Sequence, residues 1–121
     1  QQADGFAHMK FDTIQKNTGH ASTLLKAMSN PHRLLILSQL TRGERCVSEL
    51  ENIIGLSQSA LSQHLARLRR DKMVRTRRAA QTIYYSLAGE DVEAVIDTLY
   101  RLYHQPQVAP SGTTSGATAT A

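Results

Sequence analysis

Hydrophobic residues recur at helical spacing through most of the middle of this chain, and at strand-like spacing in one short stretch. Ile14, Ala21, Leu24, Leu25 and Met28 fall on one side of a helix predicted over 13–28. Asn30-Pro31 supplies an N-cap and an N1 proline for a strongly apolar second helix over 31–42, closed by Thr41-Arg42-Gly43. A third helix, over 47–54, turns Val47, Leu50, Ile53 and Ile54 inward and stops at Gly55, a residue suited to a left-handed C-terminal cap. Ser57 caps a fourth, over 58–70. Met73–Arg77 and Thr82–Leu87, rich in β-branched and aromatic residues, read as two strands joined by a short turn. A last helix over 90–104 repeats Val92, Val95, Ile96, Leu99, Leu102 and Tyr103, and places Glu90, Asp91 and Glu93 at its positive N-terminal end. The predicted order is α-α-α-α-β-β-α, a mainly α (α+β) chain.

Outside 13–104 the pattern stops. Residues 1–12 show no periodicity and are expected to be disordered; His8-Met9 is the dipeptide a common cloning junction leaves, which would make Met9 the native start. Residues 105–121 hold Gln, Pro, Val, Ala, Ser, Gly and Thr without a charge, a composition expected to form a disordered tail. The longest aliphatic run, Leu34-Leu35-Ile36-Leu37, is far short of a membrane span, and no secretory pattern opens the chain, so no membrane partner is expected and the cytoplasm is the expected location. The single cysteine, Cys46, cannot form an internal disulfide, in keeping with a reducing compartment.

Charge changes the picture through its distribution. The formal charge of the whole chain is +4. Residues 57–81 hold Arg67, Arg69, Arg70, Lys72, Arg75, Arg77 and Arg78 against Asp71 alone, a local +6, so the remainder is slightly acidic. This patch coincides with two helices joined by Gly55-Leu56-Ser57, the turn length of a helix-turn-helix. With Leu61, Leu65 and Leu68 packed on the preceding helix, the outer face carries Ser59, Gln63, Ala66 and Arg70, flanked by Ser62 and Arg67, with Gln58 in the first turn. Gln pairs bidentately with adenine and Ser with several bases, so this face suits major-groove readout. Arg67 and Arg70, farther along, suit phosphates. A polar outer face is also what any amphipathic helix shows. The adjacent hairpin tips the balance: Arg75, Arg77 and Arg78 crowd it where a winged helix sets cations against DNA.

The segments "LLKAMSNPHRLLIL", "CVSELENIIGLSQSALSQHLARLRR" and "MVRTRRAAQTIYYSL" carry a resemblance to the ArsR family of winged helix-turn-helix repressors, over about two-thirds of the chain. The resemblance implies a homodimer built on the first and last helices, bound to a palindromic operator on double-stranded DNA when no inducer is present. It also implies that Gln58, Ser59, Ser62 and Gln63 match the base-contacting positions. The wing has Ala79-Ala80 where many relatives have glycine. Independently, two apolar-striped terminal helices exceed what a small core covers, and pairing them across a two-fold axis would bury them; folding both onto the chain's own core is the alternative.

The sensing residues depart from the family's patterns. Cys46-Val47-Ser48 is one thiolate short of the Cys-x-Cys of metal-sensing members. The ligand positions of the last helix hold Gly89, Asp91, Leu102 and Gln105, too few donors for tight zinc. No metal or other cofactor is expected. The chain is most similar to a branch controlling virulence and biofilm genes through a dithiol switch, but Ser38 and His104 stand where those cysteines belong. Cys46, where a helix N-cap can lower a thiol pKa, and His104, at a helix C-terminus, are the candidate sensing residues. His64, beside the apolar face, reads as a packing or phosphate-contact residue. The expected function is a dimeric DNA-binding repressor, with redox or sulfur species as the first inducer class to test. The alternatives are a metal-responsive repressor with a non-standard site and a winged-helix protein-interaction module. An enzyme finds no nucleophile motif, phosphate loop or metal cluster in the sequence.

Overall fold

A computed structural model of the chain describes residues 2–104, with the side chains of 5–104; the expected tail over 105–121 lies outside the described residues. The elements are α1 (Gln2–Lys16), α2 (Thr18–Met28), α3 (Pro31–Leu40), β1 (Arg45–Cys46), α4 (Val47–Ile54), α5 (Gln58–Arg70), β2 (Val74–Ala79), β3 (Thr82–Leu87) and α6 (Glu90–His104). The expected α-helix-rich order with a hairpin before the last helix is observed. No helix among the described residues is long and apolar enough to cross a membrane.

Two expectations at the N-terminus are corrected. Residues 2–12, expected to be disordered, lie in helix α1, and the helix expected over 13–28 is divided by a turn at Asn17. Among the described side chains α1 buries none, so no apolar stripe marks it: Phe6, Met9, Phe11 and Ile14 are all exposed, Ile14 against expectation. Local bonds support it instead, with Thr13 Oγ1 donating to the Met9 carbonyl at 3.0 Å and Asn17 Nδ2 to the Thr13 carbonyl at 2.7 Å. In α2 the buried residues are Leu24, Ala27 and Met28, while Leu25 points outward.

The junction of α2 and α3 is tightly specified. Asn30 Oδ1 accepts from the backbone N–H of His32 and Arg33 at 2.9 and 3.0 Å, satisfying two donors that a helix start leaves unpaired. Arg33 reaches back, its Nε donating to the Ala27 carbonyl at 2.7 Å and its Nη2 to the Lys26 carbonyl at 3.2 Å, which satisfies the end of α2. α3 then carries Ile36, Leu37 and Leu40 into a core completed by Leu50, Leu61, Leu65, Leu68, Met73, Val74, Val92 and Ile96. Ile53 of α4, expected inward, is about half exposed.

β1 is an addition to the predicted elements. Its two residues pair with β3, Arg45 opposite Tyr85 and Cys46 opposite Tyr84, giving an antiparallel sheet in the order β1-β3-β2. The hairpin runs in register from Val74–Leu87 to Ala79–Thr82, and Ala80 opens its two-residue turn with φ +57°. Glycine is favoured at that position, so the tip holds a strained alanine.

Asn30→Ala removes an acceptor used by two backbone donors and should lower stability by about 0.5–2 kcal/mol in urea unfolding with an unchanged denaturant slope. A loss below about 0.3 kcal/mol would show that Pro31 alone starts α3.

Candidate nucleic-acid interface

Three leucines set the orientation of α5. Leu61, Leu65 and Leu68 are buried in the shared core, so the opposite face must point away from it. Gln58, Ser59, Ser62, Gln63, Ala66 and Arg70 are accordingly exposed. The entry to the helix is fixed as well. Gly55 ends α4 with φ +86°, a conformation that side chains disfavour, and Ser57 Oγ accepts from the Ala60 N–H at 3.2 Å. The polar first turns of α5 are therefore presented outward from a corner capped on both sides.

The cations are less free than their number suggests. Arg67 Nε donates to Asp71 Oδ2 at 3.1 Å and Arg70 Nε to Asp71 Oδ1 at 3.4 Å, so one carboxylate is shared by two expected phosphate contacts. Arg75 Nη2 donates to the Ala88 carbonyl at the foot of the wing. Arg77 is paired with Glu44, its Nε lying 2.7 Å from Oε2. That ion pair holds the Glu44 carboxyl below the usual range, first through the hydrogen bond from Arg77, with burial opposing. Arg78, Arg69 and Lys72 have no ion-pair partner among the described residues.

Strand geometry further divides the wing arginines. Side chains alternate across a strand, so Arg75 and Arg77 share one face of β2, while Arg78 shares the other with Thr76 and the buried Val74. The three do not form one cluster. Arg69 and Lys72, which the charge of the patch includes but the sequence-based site does not, are also exposed; Arg69 lies seven residues beyond Ser62 and so on the same side of α5.

His64 completes the inner flank of α5. Its ring lies 5.7 Å from that of His32. Burial, then the charge of Arg33, then His32 push its pKa below the ordinary histidine value.

Residues 30–76 match the family model described as bacterial regulatory protein, arsR family. Over 99 residues the chain is 52% identical to the transcriptional activator HlyU of Vibrio cholerae, spanning 82% of this chain and 92% of that protein. The chain belongs to the ArsR family. Among solved structures, reduced HlyU from Vibrio cholerae is 53% identical with a TM-score of 0.72, covering 77% of this chain and 98% of that one. The transcriptional repressor BigR from Xylella fastidiosa is 36% identical with a TM-score of 0.73, covering 76% and 94%. A homodimeric winged helix-turn-helix DNA-binding domain, Mb0332 from Mycobacterium bovis, is 29% identical with a TM-score of 0.66, covering 79% and 94%. The fold of this ArsR-family chain is thus the winged helix-turn-helix, and its role is transcription regulation.

The candidate sensing residues lie in separate places. Cys46 is half-buried at the N-terminus of α4, its N–H donating to Glu49 Oε1 at 2.9 Å and its Sγ lying 3.3 Å from Ser48 Oγ. It borders a cleft with Gln81, Thr82 and Ile83 at the wing. His104 stacks on Tyr100, with ring centroids 4.5 Å apart, and lines a groove of about 500 Å³ between α3 and α6. Ser38 lines the same groove, so the two positions that the resemblance paired border one space, without a thiol at either. Asp91, the remaining carboxylate of the metal positions, is engaged by His20 Nε2 at 2.6 Å, and this bond holds its carboxyl below the usual range. Among the described residues no three His, Cys, Asp or Glu side chains converge on a metal-sized site.

The lowered His64 pKa has a definite sign. Its contribution to stability is complete above the unfolded value near pH 6.5 and is lost as pH falls through the folded value, because the unfolded chain takes up the proton first. Urea unfolding of the wild type and His64→Gln between about pH 8 and 5 should show the wild type losing ground to the variant below about pH 6.5. A constant difference would remove the titration from the account.

Proposed function

We propose that this ArsR-family regulator acts as a homodimer that reads a palindromic operator with α5 in the major groove and the wing against the flanking backbone. The observation that carries this reading is the exposed Gln58, Ser59, Ser62 and Gln63 face, held outward by the buried Leu61, Leu65 and Leu68. Gln58 and Gln63 supply bidentate amides for adenine, and Ser59 and Ser62 supply adaptable hydroxyls. Arg69, Arg70 and Arg78 are the readiest phosphate contacts. Arg67 and Arg75 contribute positive charge near their internal partners, and Arg77 must leave Glu44 to reach DNA.

The dimer is supported by apolar surface that the single chain leaves uncovered. Leu25 of α2 and Tyr100, Leu102 and Tyr103 of α6 are exposed, Tyr103 at 84%. Pairing these helices across a two-fold axis covers the patch and sets two copies of α5 about one helical turn of DNA apart, near 34 Å. The homodimeric Mb0332 domain, alike over most of its length, supports the same assembly. Repression follows by occlusion of a promoter or of another protein, in the cytoplasm and without catalysis. A redox or sulfur species is the inducer class to test first, and Cys46, beside Gln81–Ile83 at the wing, is the residue at which to test it.

Fluorescence anisotropy with the chain's own upstream region and a scrambled duplex tests the reading. Gln63→Ala should lose about 1–3 kcal/mol of discrimination between the two duplexes. Arg78→Ala should weaken both equally and reduce the salt slope by about one. Equal affinity of the wild type for both duplexes would defeat sequence-specific regulation.

A further inference from the structure

Arg77 is the wing cation most completely satisfied within the chain. Its Nε lies 3.0 Å from Glu44 Oε1 and 2.7 Å from Oε2, and its Nη2 lies 2.8 Å from Oε1. The guanidinium also rests 4.8 Å above the ring of Tyr84, its cross-strand partner. Glu44 sits at the end of the loop from α3, next to Arg45, which β1 pairs with Tyr85. The sheet therefore brings the carboxylate to the wing across a separation of 33 residues. The geometry is the planar, two-pronged grip that arginine uses on phosphate as readily as on carboxylate.

We propose that Glu44 stands in for a DNA phosphate on Arg77 and so attenuates the affinity of the wing for any duplex. This rests on the DNA-binding reading above and adds a residue to it. In the free protein the pair is neutral, so Arg77 adds little to the attraction of the patch. Both side chains remain partly open to solvent, at 56% and 36%, so a phosphate can take over the guanidinium without unfolding. When it does, one ion pair replaces another, and a displaced carboxylate is left beside the polyanion. Arg77 thus engages at a penalty set by Glu44. Because phosphates carry no base identity, the penalty falls equally on operator and random DNA, and α5 retains the discrimination.

The test is anisotropy in a salt series on wild type, Glu44→Gln, Glu44→Ala, Arg77→Ala and the Glu44→Gln/Arg77→Ala double variant, with the upstream duplex and its scrambled counterpart, and thermal melting to verify folding. Glu44→Gln keeps the side-chain shape without the charge. It should bind both duplexes on the order of three- to tenfold more tightly and steepen the salt slope by about one. Arg77→Ala in the wild-type background should change affinity by less than about twofold, and in the double variant it should abolish the gain. Glu44→Ala should follow Glu44→Gln if it melts normally. Glu44→Gln binding equal to or weaker than wild type, or a gain that survives removal of Arg77, would overturn the proposal. Operator preference in the wild type is read from the same titrations, so failure of the DNA-reading hypothesis is distinguished from failure of the Glu44 inference.

Discussion

Burial of Leu61, Leu65 and Leu68 fixes how α5 sits on the core and therefore which of its side chains face outward. Each leucine removed from water contributes roughly 1.5–3 kcal/mol, and together they leave α5 one rotational setting. A rotation of one residue, about 100°, would put Ser62 and Arg69, or His64 and Arg67, into a core that among the described residues contains no buried polar side chain. Gly55 and Ser57 fix the corner from which the helix starts, and Leu50 of α4 supports it from behind. The outward direction of Gln58, Ser59, Ser62 and Gln63 is therefore a consequence of core packing.

The electrostatic design pairs excess with restraint. Six units of positive charge gather between residues 57 and 81, yet Asp71 holds two arginines of α5 and Glu44 holds one of the wing. Unpaired cations in such number would attract any polyanion, since phosphate attraction dominates affinity and ignores sequence. Under the proposal above, carboxylates placed among the arginines lower that background. In the proposed reading, discrimination is left to the uncharged amides and hydroxyls of the first two turns.

Short-range pattern carried most of the fold. The helix-turn-helix, the hairpin and the last helix follow from spacing that repeats within a dozen residues, and the outer face of α5 follows from the same wheel. What sequence hid was either unburied or distant. α1 has no buried stripe to reveal it, and the two residues of β1 are too few to show an alternation. The Arg77–Glu44 pair joins residues whose meeting depends on the order β1-β3-β2, so charge counting alone credited Arg77 as available. The separation of Arg78 from Arg75 and Arg77 needed the strand's facing, which Val74 settles by being buried. That Ser38 and His104 line one groove was legible only through family resemblance, because no spacing links α3 to the end of α6.

Dimethyl sulfate footprinting of the bound upstream region tests most directly whether the leucine-anchored face enters the major groove. Guanine N7 lies in that groove and reacts unless a side chain covers it. Two patches of N7 protection on one side of the duplex are expected, with centres about one helical turn apart. Full N7 reactivity across a site whose sugar-phosphate backbone is protected would contradict major-groove entry, since the protein would then be held by phosphates alone.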